Sequence, residues 1–250
     1  MKVGQILDRS LRLFPRVFYR ALIWFVIIAL LGTAANLFML DSILLGMALS
    51  FVQGILNYVL LLAVTLMAAE WWHGNQVSLS DVRDRISASL VFRLLGLSIW
   101  IGVVTMLGFL LLIIPGLVYM LNRILAPYVL VVENCSMEYA LKKSKYLMTR
   151  GKWYSFSGPY MRISGLLFIV MIISWFSGLA AGFSQQLYAQ QSLAWYVSAA
   201  MTFFSFLLVQ FFSVFNYLCL VGFYYDLRAR YEGADLLNSI EGLQTSAPAA

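Results

Sequence analysis

One arginine is the residue of this chain whose type and position most suggest a special role. Arg123 lies inside the apolar stretch from residue 116 to residue 132. An arginine within a membrane costs at least a few kcal/mol unless it is paired, hydrated or able to reach the interface. Asp41 is the acid predicted on the outer side of the membrane, near the end of the stretch that holds Arg123, so it is a candidate partner. A lipid phosphate, a wet cavity or helix-end carbonyls would also satisfy Arg123, and structural and functional roles both stay open.

Amide side chains are the other strong hydrogen-bonding groups within apolar stretches. The candidate polar, lipid or transport site therefore has seven members, which are Arg123, Asp41, Asn122, Gln53, Asn57, Gln210 and Asn216. Amides at such depth usually join helices to one another, and they line a transport path less often. We therefore expect packing contacts for most of them.

Basic side chains form a second group, which is suited to lipid headgroups. Lys142, Lys143 and Lys145 lie opposite apolar residues in SMEYALKKSKYLMTRGKW, and Arg9 and Arg12 do so in VGQILDRSLRLFPRVF. Amphipathic basic helices bind the surface of anionic membranes. These five residues are the candidate contacts to anionic lipid at the cytoplasmic leaflet.

Residue types that carry out catalysis are scarce. The chain has one histidine, His73, and it lacks the G-x-S-x-G, Walker, H-E-x-x-H and dinucleotide motifs. Neither Cys135 nor Cys219 belongs to a C-x-x-C pair. We expect a protein that is not an enzyme, with no catalytic, cofactor-binding or metal-binding residue.

The composition shows what kind of elements position these residues. Hydrophobic residues make up 62% of the 250 residues and charged residues 11%, whereas soluble domains carry about 25% charged residues. Continuously apolar runs predict membrane-spanning helices rather than barrel strands. The expected fold is an all-α polytopic membrane protein with about six spans in three hairpins, at residues 21–40, 42–69, 94–114, 116–132, 163–183 and 195–225.

Basic residues define an orientation, because they are confined to the two ends of the chain and to two long connections. These segments are 2–20, 83–93, 142–162 and 228–230, and only Arg123 lies elsewhere. By the positive-inside rule they face the cytoplasm, so we expect both termini to be cytoplasmic in a multi-pass protein of the plasma (inner) membrane. The net charge of +6 then indicates anionic lipid as a partner and not nucleic acid.

The first three of these segments each contain a stretch with helical apolar spacing, which predicts three amphipathic helices in the headgroup plane. A weak threefold repeat of interfacial helix and hairpin follows from this order. Pro115-Gly116 predicts a tight outer turn, or alternatively a re-entrant or broken helix. Residues 1–231 form the expected membrane domain, and 232–250 a disordered cytoplasmic tail.

The central sequence IIPGLVYMLNRILAPYVLVVEN, followed by YALKKSKYLMTRGKW, resembles bacterial membrane proteins of the YciC type. It also resembles the membrane domain that is sometimes fused to glycerophosphoryl diester phosphodiesterases. The residues that carry the resemblance are Pro115, Gly116, Arg123, Pro127, Glu133, Ala140, Leu141, Ser144, Gly151 and Trp153. The resemblance implies a multi-pass inner-membrane protein. It does not imply phosphodiester hydrolysis, since the catalytic residues of fused members belong to a separate soluble domain.

These features favour a non-enzymatic integral membrane protein, a lipid-contacting scaffold or accessory in envelope or lipid homeostasis. The alternative is a small transporter or channel with a polar site near Arg123. A homo-oligomer or a second membrane protein is a possible partner.

The orientation gives a direct test. Reporter fusions or cysteine labelling at Met1, Ser80, Ser144 and Ala250 should report the cytoplasmic side, and the same probe at Gln190 the opposite side, because the basic segments are retained inside. Labelling of Ser80 or Ser144 from outside would contradict the six-span arrangement.

Overall fold

Helices are the regular elements in the computed structural model, which describes residues 3–72, 79–150, 158–189 and 195–246. Across these ranges there are nine helices and no strand, so the all-α prediction is confirmed. In chain order they are α1 (Val3–Asp41), α2 (Ile43–Trp72), α3 (Leu79–Arg85), α4 (Ala88–Leu111), α5 (Ile113–Arg123), α6 (Ala126–Glu133), α7 (Met137–Thr149), α8 (Pro159–Ala189) and α9 (Trp195–Ser246).

Five stretches within the described ranges are long and apolar enough to cross a membrane. They are Ser10–Met39, Ile43–Trp72, Ala88–Leu111, Ile113–Glu133 and Trp195–Gly233. Large apolar side chains face outward along several helices; Phe51 is 71% exposed, Leu110 72% and Trp175 67%. A soluble protein rarely exposes so much contiguous apolar surface, and hydrocarbon would solvate it without penalty. The helix α8, with 31 residues, contains the predicted span 163–183.

The sequence predicted a separate interfacial helix for the N-terminal amphipathic stretch. The structure differs, because α1 continues through Pro15 to Asp41. Proline removes one backbone hydrogen bond and often kinks a helix. Here the neighbouring residues are held by packing: the ring of Phe14 lies 4.5 Å from that of Phe211 on α9, and Val17 is fully buried. Burial of this face therefore keeps the helix continuous.

The turn between α4 and α5 lies at Leu112, three residues before the predicted Pro115-Gly116 turn. Leu112 is extended, with φ −161° and ψ 139°, and Pro115 falls in the first turn of α5. A first-turn residue needs no backbone N–H donor, so proline is well accommodated there. The short turn allows the two helices to approach through Gly108 and Gly116.

The predicted span 116–132 is two helices, because α5 ends at Arg123 and α6 begins at Ala126. Pro127 lies at the start of α6, where the missing N–H again breaks no hydrogen bond. Asn134 ends α6 in the left-handed conformation, with φ 45°. Asparagine tolerates this conformation better than most residues, and the chain then turns into α7.

The two other amphipathic stretches are helical in part as predicted. Ser136 caps α7 by accepting a hydrogen bond from the backbone N–H of Tyr139. The buried face of α7 consists of Ala140, Ser144, Leu147 and Met148. In the second stretch, α3 is short and Ser87 caps the following helix α4.

The C-terminal end differs from the prediction of disorder from residue 232. The helix α9 continues to Ser246. Its distal sequence carries Leu236, Leu237, Ile240 and Leu243 at helical spacing and has no proline before Pro248. Extending an existing helix is much easier than starting one, so a modestly apolar pattern is sufficient.

Consecutive helices pack as the pairs α1–α2, α4–α5 and α8–α9, and α9 also packs along α1 and α2. Phe25 and Ile28 on α1, Leu62 and Met67 on α2 and Tyr224 on α9 are among the largest fully buried side chains. The core thus lies around α9, which contacts both members of the first pair.

The close approach of α4 and α5 gives a stability test. A Cβ at Gly108 would lie 2.7 Å from the Cα of Gly116, whereas nothing lies within 4 Å of a Cβ at Gly102 on the same helix. Gly108→Ala should therefore lower the free energy of unfolding by about 1–3 kcal/mol through overpacking. Gly102→Ala should leave it unchanged or raise it by about 0.5–1 kcal/mol. Denaturant titrations in detergent would measure both; equal effects would contradict the backbone contact.

Candidate functional site

The carboxylate of Glu133, the last residue of α6, receives contacts from two other helices. The hydroxyl of Tyr224 on α9 donates a hydrogen bond to it. The Lys143 ammonium group on α7 lies 2.6 Å away, and the Arg228 guanidinium on α9 lies 3.8 Å away. An acid at the end of an apolar helix is thus solvated by protein groups in place of water.

A second carboxylate completes this cluster. Glu232 lies 2.6 Å from the Lys143 ammonium group and 2.7 Å from the Nε of Arg228. We name Glu133, Lys143, Arg228 and Glu232 the four-charge junction. Two carboxylates and two cations sum to zero net charge, so the junction can be buried together at a lower cost than any member alone.

Helix periodicity explains why α9 can contribute two charges of the junction together with the Tyr224 hydroxyl. Tyr224, Arg228 and Glu232 are spaced four residues apart, which places them on one face of the helix. Lys143 lies on the side of α7 that faces the protein, and its side chain is only 11% exposed. The junction therefore joins α6, α7 and α9 through side chains that local helix geometry presents on facing surfaces.

Lys143 stays charged within the junction. Burial lowers the pKa of its ammonium group, but hydrogen bonds to Glu133 and Glu232 outweigh that effect, so that its pKa is raised above the ordinary value. A raised lysine pKa means that the ion pairs contribute stability throughout the neutral range. That contribution is lost only as the pH rises through the folded-state pKa.

Asp226 forms a second ionic link on the same end of α9. Its side chain is 3% exposed and lies 3.7 Å from Arg162 on α8 and 3.0 Å from Arg230 one turn along α9. A buried carboxylate between two guanidinium groups ties α8 to α9. Breaking such a contact leaves an uncompensated charge, which is costly in an apolar environment.

Further polar and aromatic contacts lie on the same end of the bundle. Arg93 on α4 donates hydrogen bonds to the Asn134 side chain (2.8 Å) and the Cys135 carbonyl (3.2 Å). Arg85 pairs with Glu70, and Trp72 stacks on Tyr225 with ring centroids 5.7 Å apart. We call this side of the molecule, with the four-charge junction, the charged end.

Arg123 lies where α5 ends and contacts α7. Its guanidinium donates a hydrogen bond to the Leu141 carbonyl and lies 5.6 Å from the centroid of the Tyr119 ring; its Nε is buried without a hydrogen-bond partner among the described residues. A helix-end arginine bonded to a carbonyl is the structural alternative named above. The side chain of Asp41 lies outside the described part of the chain, so the proposed pair stays a prediction.

Asn122, next to Arg123, takes part in the same joint. Its backbone carbonyl accepts a hydrogen bond from the Ser144 hydroxyl at 2.8 Å, and its side-chain oxygen accepts one from the Tyr160 hydroxyl. These bonds connect α5 to α7 and α8. Asn122 therefore joins helices, as expected for most amides in spans.

The other amides lie elsewhere, between α2 and α9, and do not gather around Arg123. Gln210 donates a hydrogen bond to the side-chain oxygen of Asn57 at 2.7 Å, and Asn57 donates one to the Gln53 carbonyl at 3.1 Å. The Oδ1 of Asn216 is buried without a hydrogen-bond partner among the described residues. The polar candidates whose side chains are described are thus spread over separate places in the bundle.

The five basic candidates separate into two kinds. Lys142 and Lys145 on α7 are exposed, and so is Arg12, which pairs with Asp8 at 2.9 Å. Lys143 belongs to the four-charge junction, and its ammonium group is turned to protein carboxylates instead of the surface. The side chain of Arg9, like His73, lies outside the described residues.

The junction residues Arg228 and Glu232 were absent from the candidates chosen from the sequence. Glu133 was noted only through a family resemblance. A usable signal was present: Glu133 and Asp226 are acids at span ends that are otherwise rich in basic residues. An isolated acid in such a place requires a partner, but the sequence does not say which cation supplies it.

The structure defines an all-helical protein with several helices able to cross a membrane and an ionic joint at one end. The chain matches no protein-family model, no curated protein and no solved structure. In the described ranges no three histidine, cysteine or acidic side chains lie together in a way that could hold a metal ion.

Two lysines one residue apart on α7 provide a matched test of the junction. Lys143→Met should lower the free energy of unfolding in detergent by about 2–3 kcal/mol, because it leaves Glu133 and Glu232 with one cation between them. Lys142→Met removes a pair with Glu138 in which both side chains are more than 70% exposed, and it should have little effect. Similar losses for both variants would show that the junction does not hold α7.

Proposed function

We propose that this chain is a non-enzymatic integral membrane protein whose charged end binds anionic lipid, and that it acts as a lipid-contacting scaffold. In this proposal it spans a bacterial inner membrane six times, with both termini and the charged end in the cytoplasm. The observation that carries the proposal is a division of the basic side chains between inward-facing and outward-facing positions.

Inward-facing cations have their counter-charges within the protein. Lys143 and Arg228 meet Glu133 and Glu232, and Arg162 meets Asp226. These groups leave little net field outside the helices. They account for cohesion of the charged end and not for attraction to other molecules.

Outward-facing cations lie on helices that also expose apolar residues. Arg16 and Arg20 on α1, Arg83 on α3 and Lys142 and Lys145 on α7 are exposed. Leu11 and Tyr146, on two of the same helices, are 56% and 40% exposed. Exposed cations beside exposed apolar and aromatic groups match the boundary between anionic headgroups and acyl chains.

The six-span arrangement is supported by the helix lengths and the pairing of consecutive helices. The helices α1, α2, α4, α8 and α9 each exceed about 20 residues, and α5 with α6 would form the remaining crossing. The opposite end has short apolar connections, where Leu44, Leu111 and Ile113 are all more than 65% exposed. The absence of charge at these positions favours the positive-inside orientation.

The scaffold reading is favoured over the transport alternative by the contacts around Arg123. Arg123 and Asn122 form hydrogen bonds to α7 and α8, so their polar groups serve helix joints. A place in the YciC-type family belongs to the same proposal, and two residues of its motif, Arg123 and Glu133, form contacts between helices.

Spin-labelled lipids would test lipid preference. We expect the protein, reconstituted in phosphatidylcholine vesicles, to restrict spin-labelled phosphatidylglycerol more strongly than spin-labelled phosphatidylcholine. Raising the salt concentration from about 0.1 M to 1 M should reduce this difference, since the Debye length falls from about 10 Å to 3 Å.

Lys142→Gln/Lys145→Gln should also reduce the stronger restriction of phosphatidylglycerol over phosphatidylcholine, because each basic group near an anionic surface contributes about 1 kcal/mol. Equal restriction of the two lipids by the unmodified protein would refute the proposal.

A further inference from the structure

We propose that a cleft between α1 and α2 at the charged end is a specific site for one anionic glycerophospholipid. Arg16 and Arg20 would hold the phosphate, and an adjoining apolar groove would take an acyl chain. This inference rests on the proposed function and makes it specific, since general attraction of anionic lipid requires no defined site.

The cleft has a volume of about 520 Å³ and is lined by Pro15, Arg16, Tyr19, Arg20 and Trp71. Arg16 and Arg20 are one helical turn apart on α1, so their guanidinium groups extend from the same face. The Arg20 guanidinium lies over the Trp71 ring of α2, 5.4 Å from its centroid. The volume falls in the range of about 300–1,000 Å³ that ligand sites occupy.

Guanidinium groups are suited to phosphate because their N–H donors form two parallel hydrogen bonds to its oxygens. Stacking on Trp71 also limits the freedom of Arg20, so less entropy is lost when a ligand is bound. Tyr19, which is 81% exposed, adds a hydroxyl at the mouth of the cleft. Tryptophan and tyrosine are typical of the headgroup level of membranes.

An apolar groove adjoins this cleft along α1. Trp24, one turn beyond Arg20, lines a space of about 390 Å³ together with Val59, Leu60 and Ala63 of α2, Val82 and Arg83 of α3, and Ile86, which follows α3. Except for Arg83, all of these side chains are apolar. A lipid with its phosphate at Arg20 would therefore find a hydrocarbon-compatible surface about 6 Å away, given the helical rise of 1.5 Å per residue.

The order of the two spaces matches that of a lipid in a bilayer. Trp71 lies at the last turn of α2, whereas Val59 and Ala63 lie two to three turns earlier in the same helix. Going from Trp71 to Ala63 leads away from the charged end and into the span. The lipid phosphate would thus lie at the headgroup level and its acyl chain at the hydrocarbon level. A free phosphate ion would occupy only the cleft and not the groove.

Native mass spectrometry of the full chain in detergent can measure retained lipid directly. Phosphatidylglycerol would be added to delipidated protein, and phosphatidylcholine in a parallel sample. Arg16→Gln/Arg20→Gln should reduce retained phosphatidylglycerol about tenfold or more, because each cation contributes about a fivefold factor. Lys142→Gln/Lys145→Gln removes the same charge from a surface that attracts lipid only generally, so it should lower the retained phosphatidylglycerol much less than the arginine pair does.

Two further measurements identify which part of the lipid is recognised. Ala63→Phe fills the groove and should weaken retention of phosphatidylglycerol, with both arginines intact. Inorganic phosphate at millimolar concentration should compete only weakly, since it gains nothing from the groove. Strong competition by phosphate, with no effect of Ala63→Phe, would overturn the lipid assignment in favour of a free phosphate ion.

The remaining outcomes separate this inference from the proposed function. Equal losses in the arginine and lysine pairs would overturn the site and leave general lipid attraction in place. An unmodified protein that retains both lipids equally would overturn both. If the double arginine variant does not unfold cooperatively in thermal scans, Arg16→Gln and Arg20→Gln are tested singly, and full retention by each would overturn the site.

Discussion

The structure depends on the need to neutralise charge within an apolar bundle. Glu133 ends a helix whose other residues are almost all apolar, and neither hydrocarbon nor packed apolar side chains can replace water around a carboxylate. Tyr224, Lys143 and Arg228 perform that task. Because these partners belong to α7 and α9, satisfying one carboxylate fixes how three helices meet.

The same constraint explains why α7 lies against the bundle although it is amphipathic. Three of its groups are bound from the protein side: the Leu141 carbonyl by Arg123, the Ser144 hydroxyl by the Asn122 carbonyl, and Lys143 by the two glutamates. Its remaining lysines, Lys142 and Lys145, face outward. One short helix therefore joins the bundle on one face and presents positive charge on the other, which is the arrangement a lipid-contacting scaffold requires.

Arg123 illustrates how a residue that looks functional in the sequence can serve a joint between helices. Its position inside an apolar stretch suggested Asp41 as a candidate partner, and that pair stays a prediction. The break after α5 brings Arg123 to a carbonyl of α7. The sequence did not predict the cleft at Arg16 and Arg20, since nothing in the local pattern separates these arginines from the other basic residues of the first segment. Arg20 lies over the Trp71 ring in a cleft that Arg16 also lines, whereas Arg12 pairs with Asp8.

The sequence by itself determined the helical class, the presence of several helices able to cross a membrane and the amphipathic character of α7, because these follow from local composition and a period of 3.6 residues. It did not determine that α1 passes through Pro15, that the turn falls at Leu112 or that α9 extends to Ser246. Packing against other helices and close backbone approach decide those points. The partners of Glu133 and Arg123, and the pairing of Asp226 with Arg162, were decided by tertiary structure alone. These contacts join different helices, and the local sequence pattern carries no record of them.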